Sequence, residues 1–358
     1  MKVSEEMLFA LLRASLHERN TETSCFEGVS GMDWQQCFRL AQSQGVMALA
    51  WDGIPKLPAH LYPPVEIKLQ WGIKVEMLER KHQRYCKAVQ ELISFYQEHQ
   101  IATLQLKGVG LSNYYPIPSH REGGDIDIYT FSADRSKMTD EEANCLADDL
   151  MRQQGVEIEM HSYKHSNFYY KGIPVENHKY FLNVKHYPIA KQIDEWLKKE
   201  VQSHSTTPSP AFNTLFLAFH ASQHYGSGLA LHHLCDWTML LKRYGLVLPE
   251  GLKDKRFLEA IAAFTQLCNR YLGTSVEVTG GKALADEILE EILHPRYPHK
   301  MGVPVKGKWN ILVYKTRRFL YMSKVSNRIL YLPLWKRIGK SVIAHIRRPE
   351  TIFQTETK

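Results

Sequence analysis

Paired cysteines are missing from this chain. Its six cysteines, Cys25, Cys37, Cys86, Cys145, Cys235 and Cys268, are scattered over 358 residues, and no two form a C-x-x-C pair. That argues against a disulfide framework and reads as free thiols in a reducing compartment. Also missing is any uncharged apolar run that approaches a membrane span. The stretch Met1 to Glu18 carries Glu5 and Glu6 and mixes apolar with polar residues at helical spacing. This is the pattern of an amphipathic helix rather than a signal peptide, and a cytoplasmic location is expected. There is no internal repeat, no low-complexity tract and no RNA-binding module signature.

Acid is missing from one segment. Residues 301–348 hold 12 Lys and Arg and no Asp or Glu, whereas residues 1–300 hold 32 Lys and Arg against 36 Asp and Glu. The net charge of +7 is therefore a property of the C-terminal segment. Trp309 to Arg348 interleaves Leu, Ile, Tyr, Phe and Trp with Lys and Arg. Three readings stay open. It is a basic amphipathic segment lying on an anionic membrane surface, a grip on the phosphates of RNA or DNA, or two helices, broken near Pro333, packed on the acidic remainder.

A hydrophobic content of 44% with 11% aromatics suits a globular protein with a sizeable core. The length allows two or three domains. Residues 4–19, 33–50 and 65–99 read as helices, with Asp33 capping the second behind the breaker Gly31. In the third, Leu69, Ile73, Met77, Leu78, Tyr85, Val89, Leu92, Ile93 and Tyr96 recur near helical spacing. The period then changes. Residues 101–106 read as a strand ending in Lys107-Gly108, residues 109–115 as a turn or two of helix, and residues 123–131 as a second strand. Thr139 caps a helix over 139–154, with Glu142 at the capping-box position. Val156 to Met160 alternates as a strand, and Phe168–Tyr170 and Ile173–His178 form a hairpin around Lys171-Gly172. Helical patterning resumes after Thr207-Pro208-Ser209-Pro210 and runs to about residue 294. The expected divisions are a helical region over 1–99, an α/β core over 100–205, a helical domain over 206–300 and the basic segment over 301–358.

Chemistry concentrates in Gly123-Gly124-Asp125-Ile126-Asp127-Ile128-Tyr129. On a strand, Asp125 and Asp127 face the same side, about 7 Å apart. Two like charges at that distance are most easily held by a cation between them, and Mg²⁺ prefers such oxygen ligands together with substrate phosphates. The bland alternative is an exposed edge strand guarded by two solvated acids. Lys107-Gly108 ends a strand and opens a helix, a place where backbone N–H groups and an ammonium can meet a phosphate, or simply a turn. Glu176 is a third carboxylate on a nearby strand, or an ordinary solvated Glu. Arg121 is placed to contact a triphosphate, or pairs with a surface acid. Histidines are plentiful: His161, His165, His178, His186, His220, His224, His232 and His233. His220 and His224 have the i, i+4 spacing of a zinc motif, but no Glu follows His220 and no third ligand of known spacing stands out, so core or cleft-lining roles are expected. Asp236, inside an apolar helix, calls for a buried partner, and with His220 it is placed to line a nucleotide cleft.

Together these residues resemble the nucleotidyltransferase superfamily that includes DNA polymerase beta. More closely, the chain resembles an uncharacterised bacterial nucleotidyltransferase family with the pattern L-K-G-x-x-L, Y, R, D-I-D-L, E-x-H. The matching residues are Leu106 to Leu111, Tyr115, Arg121, Asp125 to Ile128 and Glu176-Asn177-His178, with further likeness at Phe219 to His224 and His233 to Trp237. The resemblance implies an α+β fold, with a small mixed-sheet nucleotidyltransferase core flanked by N-terminal and C-terminal helical regions. It implies that Asp125, Asp127 and Glu176 bind Mg²⁺ or Mn²⁺ and catalyse, and that Glu176 helps deprotonate an acceptor hydroxyl. Lys107, Gly108, Arg121, Gly124 and His178 would bind the nucleoside triphosphate, which donates a nucleoside monophosphate and releases pyrophosphate. The acceptor is left open. Two departures stand out: 16 residues separate Gly108 from Asp125, more than the superfamily's usual gap, and the turn is Lys-Gly instead of Gly-Gly or Gly-Ser. Relatives also carry Arg where this chain has His232 and His233.

Three rival readings fit the residues less well. A D-x-D glycosyltransferase needs more strands before the motif than this chain has. An aspartate-nucleophile phosphatase carries a Gly-Thr turn after its D-x-D, and Ile128-Tyr129 does not fit. A catalytically silent nucleotidyltransferase fold, acting as an interaction module or half of a toxin–antitoxin pair, is opposed by the three intact carboxylates.

Overall fold

Local capping chemistry sets the first boundaries. The computed structural model describes residues 1–160, 162–201, 205–298, 303–347 and 349–353, so His161 and Arg348 lie outside the described residues. Helix α1 spans Val3–His17 and α2 spans Gly31–Ser43. Ser30, not Asp33, is the N-cap of α2. Its hydroxyl accepts from the Asp33 backbone N–H, while the Asp33 carboxylate accepts from Ser30 N–H, which makes Asp33 the reciprocal partner of a capping box. The single helix expected over 33–50 is two helices, because Gly45 turns the chain at φ +65° before α3 (Met47–Gly53). Helix α4 (Val65–Glu98) is continuous over 34 residues.

The sheet follows. Strand β1 (Ile101–Gln105), the short helix α5 (Val109–Ser112), β2 (Ile126–Ser132), α6 (Asp140–Gln153), β3 (His165–Tyr170) and β4 (Ile173–His178) come in that order. The spatial order is β1-β2-β4-β3. Strand β2 pairs antiparallel with β1 and parallel with β4, and β3 pairs antiparallel with β4. Helix α6 begins at the expected Thr139–Glu142 capping box. The strand expected over Val156 to Met160 reduces to one bridge, Glu159 to Asn167.

Both faces of β2 are covered. Ile126 and Ile128 join a cluster with Val89 and Leu92 of α4 and Ala143 and Ala147 of α6. Tyr129 and Phe131 join the larger helical core on the other side. That core is built by α1 to α3 with α7 (Pro188–Glu200), α8 (Pro210–His224), α9 (Leu231–Tyr244), α10 (Lys255–Leu267), which runs into a π turn over Cys268–Leu272, and α11 (Lys282–Leu293). Alternation along β2 puts Asp127 on the Tyr129 face, toward the helical core. The fold is α+β, a small mixed sheet flanked by helices.

The basic segment forms α12 (Lys308–Ser326) and α13 (Leu334–Arg347). The Tyr321 hydroxyl donates to Glu291 at 2.6 Å and Arg328 pairs with Glu287 at 2.8 Å, so this segment touches the acidic face of α11. Among the described residues no helix is long and apolar enough to cross a membrane. All six cysteines are free thiols.

Candidate active site

Parallel pairing of β2 with β4 sets Asp127 opposite Glu176. Both point from the same sheet face, and Asp125, just before the strand, joins them. One oxygen from each of the three carboxylates lies within 4.8 Å of the others. Asp127 is fully buried, whereas Asp125 and Glu176 keep about a third of their side chains in solvent (35% and 27%).

Lys107 stands among these acids. Its Nζ is 3.0 Å from Asp127 Oδ2 and 4.0 Å from Asp125 Oδ2. Burial works against the ammonium, but the Asp127 and Asp125 carboxylates outweigh it and raise the Lys107 pKa. His178, also fully buried, places Nε2 3.0 Å from Asp127 Oδ1 and 3.5 Å from Glu176 Oε2. His165 Nδ1 lies 3.3 Å from the same Glu176 oxygen. His178 therefore braces two of the three acids from beneath. The sequence pattern points to His178 at the nucleotide; the structure seats it under the carboxylates. His165 has no assigned role in the sequence motif, because its approach to Glu176 depends on the β3–β4 pairing.

The three acids differ in proton affinity. Burial, with the neighbouring Asp127 carboxylate, pushes Asp125 up to about 6. Burial would raise Asp127 too, but the Lys107 ammonium and the His178 hydrogen bond hold it well below the usual carboxylate range. For Glu176, burial is outweighed by the His178 hydrogen bond and its pKa is lowered. The cluster carries more negative charge than one ammonium balances.

The loop leading into β2 is pinned from three helices. His120 donates through Nδ1 to Asp52 of α3 and through Nε2 to Glu79 of α4, each at 2.8 Å. Met47 N–H donates to Glu122 at 2.6 Å. Lys81 Nζ donates to the Gly123 carbonyl at 2.7 Å and the Tyr85 hydroxyl to the Gly124 carbonyl at 3.1 Å. Arg121 donates from Nε and Nη2 to the two oxygens of Asp236 on α9, at 3.1 and 2.7 Å, and from Nη1 to the Glu122 carbonyl at 3.1 Å. Asp236 also accepts from the Tyr115 hydroxyl at 2.6 Å, which supplies the buried partners its position demands. Every nitrogen of the Arg121 guanidinium is thus engaged within the protein. Apart from the Arg121–Glu122 bond, none of these anchors is a sequence neighbour of its partner, and no spacing rule could have found Asp52, Glu79, Lys81 or Tyr85.

Gly108 brings β1 and β2 together at the site. Its φ of +63° with ψ −120° suits glycine, and a Cβ there would lie 3.1 Å from the Asp125 carbonyl oxygen. Gly124 has open space where its Cβ would be.

A cleft of about 520 Å³ opens beside Asp125, lined by Lys107, Gly108, Gly124 and Asp125 on one side and by His220, His232 and Asp236 on the other. Burial holds His220 well below its ordinary pKa and His232 down at about 4, so the imidazoles of that wall are uncharged.

The acids fit a hard divalent cation. Asp127 Oδ2 is buried and accepts no hydrogen bond of good geometry, and the Lys107 ammonium stands against it as a positive charge. Three convergent carboxylates, one of them buried against an ammonium, are a donor set of the kind Mg²⁺ or Mn²⁺ takes.

A family model described as an uncharacterised nucleotidyltransferase matches residues 30–273. The chain belongs to that family. The match runs from α2 through the π turn after α10, and so takes in the three carboxylates, Lys107 and both cleft helices α8 and α9. The protein is a nucleotidyltransferase in class, and a nucleotide substrate follows from that. No curated protein and no solved structure matches the chain.

Proposed function

We propose that this protein moves a nucleoside monophosphate from a nucleoside triphosphate to an acceptor hydroxyl and releases pyrophosphate. The observation that carries this is the meeting of Asp125, Asp127 and Glu176 within 4.8 Å on β4 and at the start of β2, beside a cleft that Lys107 and Asp125 line. Asp125 and Asp127, with Glu176, would hold Mg²⁺ or Mn²⁺. Bound there, the cation supplies charge neutralisation for the triphosphate and for the attacking and leaving oxygens.

The rest is done by the chain. Glu176 takes the proton of the acceptor hydroxyl, whose oxygen forms a bond to the α-phosphorus. The bond from that phosphorus to the α,β-bridging oxygen breaks, and the electron pair leaves on pyrophosphate. Lys107 swings from Asp127 to the β- and γ-phosphates, where its charge follows the leaving group. Gly108 and Gly124 let the backbone approach the phosphates closely. His178 holds Asp127 and Glu176 in register, and the Arg121–Asp236 pair fixes the loop that carries Asp125 while lining the cleft.

Labelled substrates test this. With Mg²⁺ or Mn²⁺ and candidate acceptors, the protein itself and tRNA among them, label from the α-position should enter product while γ-label leaves in pyrophosphate. Release of γ-label as free phosphate, or transfer from a nucleotide sugar instead, would overturn the reading.

A second surface has its own reading: α13 rests on an anionic membrane. Trp335, Ile338, Val342, Ile343 and Ile346 share one face of the helix, and Trp335 and Ile346 are 70% and 72% exposed. Lys336 and Lys340 flank that face, in a segment without a single acid. An exposed apolar stripe edged by lysine matches an interfacial helix on acidic lipid.

A further inference from the structure

Three histidines that the transfer reaction does not use converge behind the cleft. His220 and His224 lie one turn apart on α8, and His233 stands in the first turn of α9. Each offers a ring nitrogen, and these atoms lie within 4.8 Å of one another. The rings form a nearly regular triangle, with centroids 4.6 Å apart for His220 and His224, 5.4 Å for His220 and His233, and 5.1 Å for His224 and His233.

That triangle has the size a tetrahedral metal imposes. Metal–nitrogen bonds to histidine are about 2.0–2.1 Å, and a ring centre lies about 1.1 Å beyond its nitrogen; tetrahedral angles then set ring centres about 5.2 Å apart. The His233 ring is anchored for the purpose. Its Nδ1 accepts from the Ala230 backbone N–H at 3.2 Å and lies 3.3 Å from the Ala230 carbonyl oxygen, which fixes the ring's orientation.

The surroundings leave a fourth position. His220 and His233 line the cleft above the carboxylates, and all three histidines line a second pocket of about 1380 Å³ bounded by Gln44, Glu291 and Tyr297. Lys107 also reaches both cavities, with its charge directed at Asp127 and Asp125.

We propose that His220, His224 and His233 form a tri-histidine site for a transition metal of the zinc class, with its open fourth position facing the large pocket. Three nitrogens select zinc, cobalt, nickel or copper over magnesium, so this centre is chemically separate from the carboxylates. Three protein ligands and one vacancy are the arrangement of a site that binds a water or a substrate oxygen. The inference rests on the histidine geometry alone and stands apart from the nucleotidyl-transfer reading.

Cobalt tests it. Full-length protein freed of metal by a chelator is titrated with Co²⁺, and visible absorption is followed. The proposal expects the intense band of four-coordinate cobalt, saturating at one equivalent and bleached by one equivalent of Zn²⁺. His233→Ala and His224→Gln should each abolish the band and weaken Zn²⁺ binding by at least about tenfold, with circular dichroism confirming the fold. His224→Gln, at a partly exposed position, keeps the test decisive should His233→Ala unfold. Asp125→Asn and Asp127→Asn should leave the band intact. A band that vanishes with the aspartate variants, one that survives both histidine variants, or no four-coordinate band at all would overturn the proposal.

Discussion

Arg121 shows what a residue does once its neighbours are known. Read in sequence, four positions before Asp125, it either contacts a triphosphate or pairs with a surface acid. In the fold its guanidinium lies flat against Asp236 with two hydrogen bonds, and both side chains are nearly buried (9% and 6% exposed). Such a pair stabilises little relative to an apolar pair of the same size, but breaking it strands a charge. Arg121→Met should therefore cost about 3–5 kcal/mol in urea unfolding, and the double variant with Asp236→Leu should recover most of it. A single variant that costs under about 1 kcal/mol would mean that the pair is solvated and the loop is held by other contacts. The D-x-D pair was legible because a strand's two-residue period fixes the direction of both side chains. The partner of Arg121 was not, since 115 residues separate it from Asp236 and only the docking of α9 brings them together.

At the scale of elements, period told which segments are helices but not always which way they face. Leu69, Ile73 and Met77 recur at helical spacing in α4 and are 60–66% exposed, while Ile67, Trp71 and Val75 turn inward. Both stripes are apolar, so the pattern alone could not rank them. The break between α2 and α3 was hidden for a similar reason: Gly45 is one residue in an otherwise helical pattern. The hairpin of β3 and β4 was read from its turn, yet the parallel pairing of β2 with β4, which delivers Glu176, is a crossover contact that no local signal announces. Helix α13 carries its own prediction. Full-length protein should co-sediment with vesicles containing phosphatidylserine, bind at least about tenfold more weakly to neutral vesicles, and lose binding with Ile338→Glu and Val342→Glu. Equal binding to both vesicle types, dimerisation through this face, or capture of RNA in place of lipid would contradict the membrane reading.

Across the whole molecule, the active-site loop is held by helices from both ends of the matched family span, so stability and catalysis share anchors. His120 is one of them. Burial works against its charge, but the hydrogen bonds to Asp52 and Glu79 prevail and raise its pKa above 6.5. A raised histidine contributes stability that is complete below the unfolded pKa of about 6.5 and is lost as pH rises through the folded value. Wild type should therefore exceed His120→Asn in stability most at pH 5.5 to 6, with the gap narrowing as pH rises beyond 7, as read by thermal unfolding at each pH. A gap that widens with pH would show that His120 is neutral in the fold. The central claim, that three convergent carboxylates at β2 and β4 make this a metal-dependent nucleotidyltransferase, has its most direct test in pyrophosphate release from a nucleoside triphosphate in Mg²⁺ or Mn²⁺. Asp127→Asn, with its fold verified, should slow that release by about 10²–10³-fold, a loss of about 3–4 kcal/mol of transition-state stabilisation; release by Asp127→Asn at the wild-type rate would contradict the account.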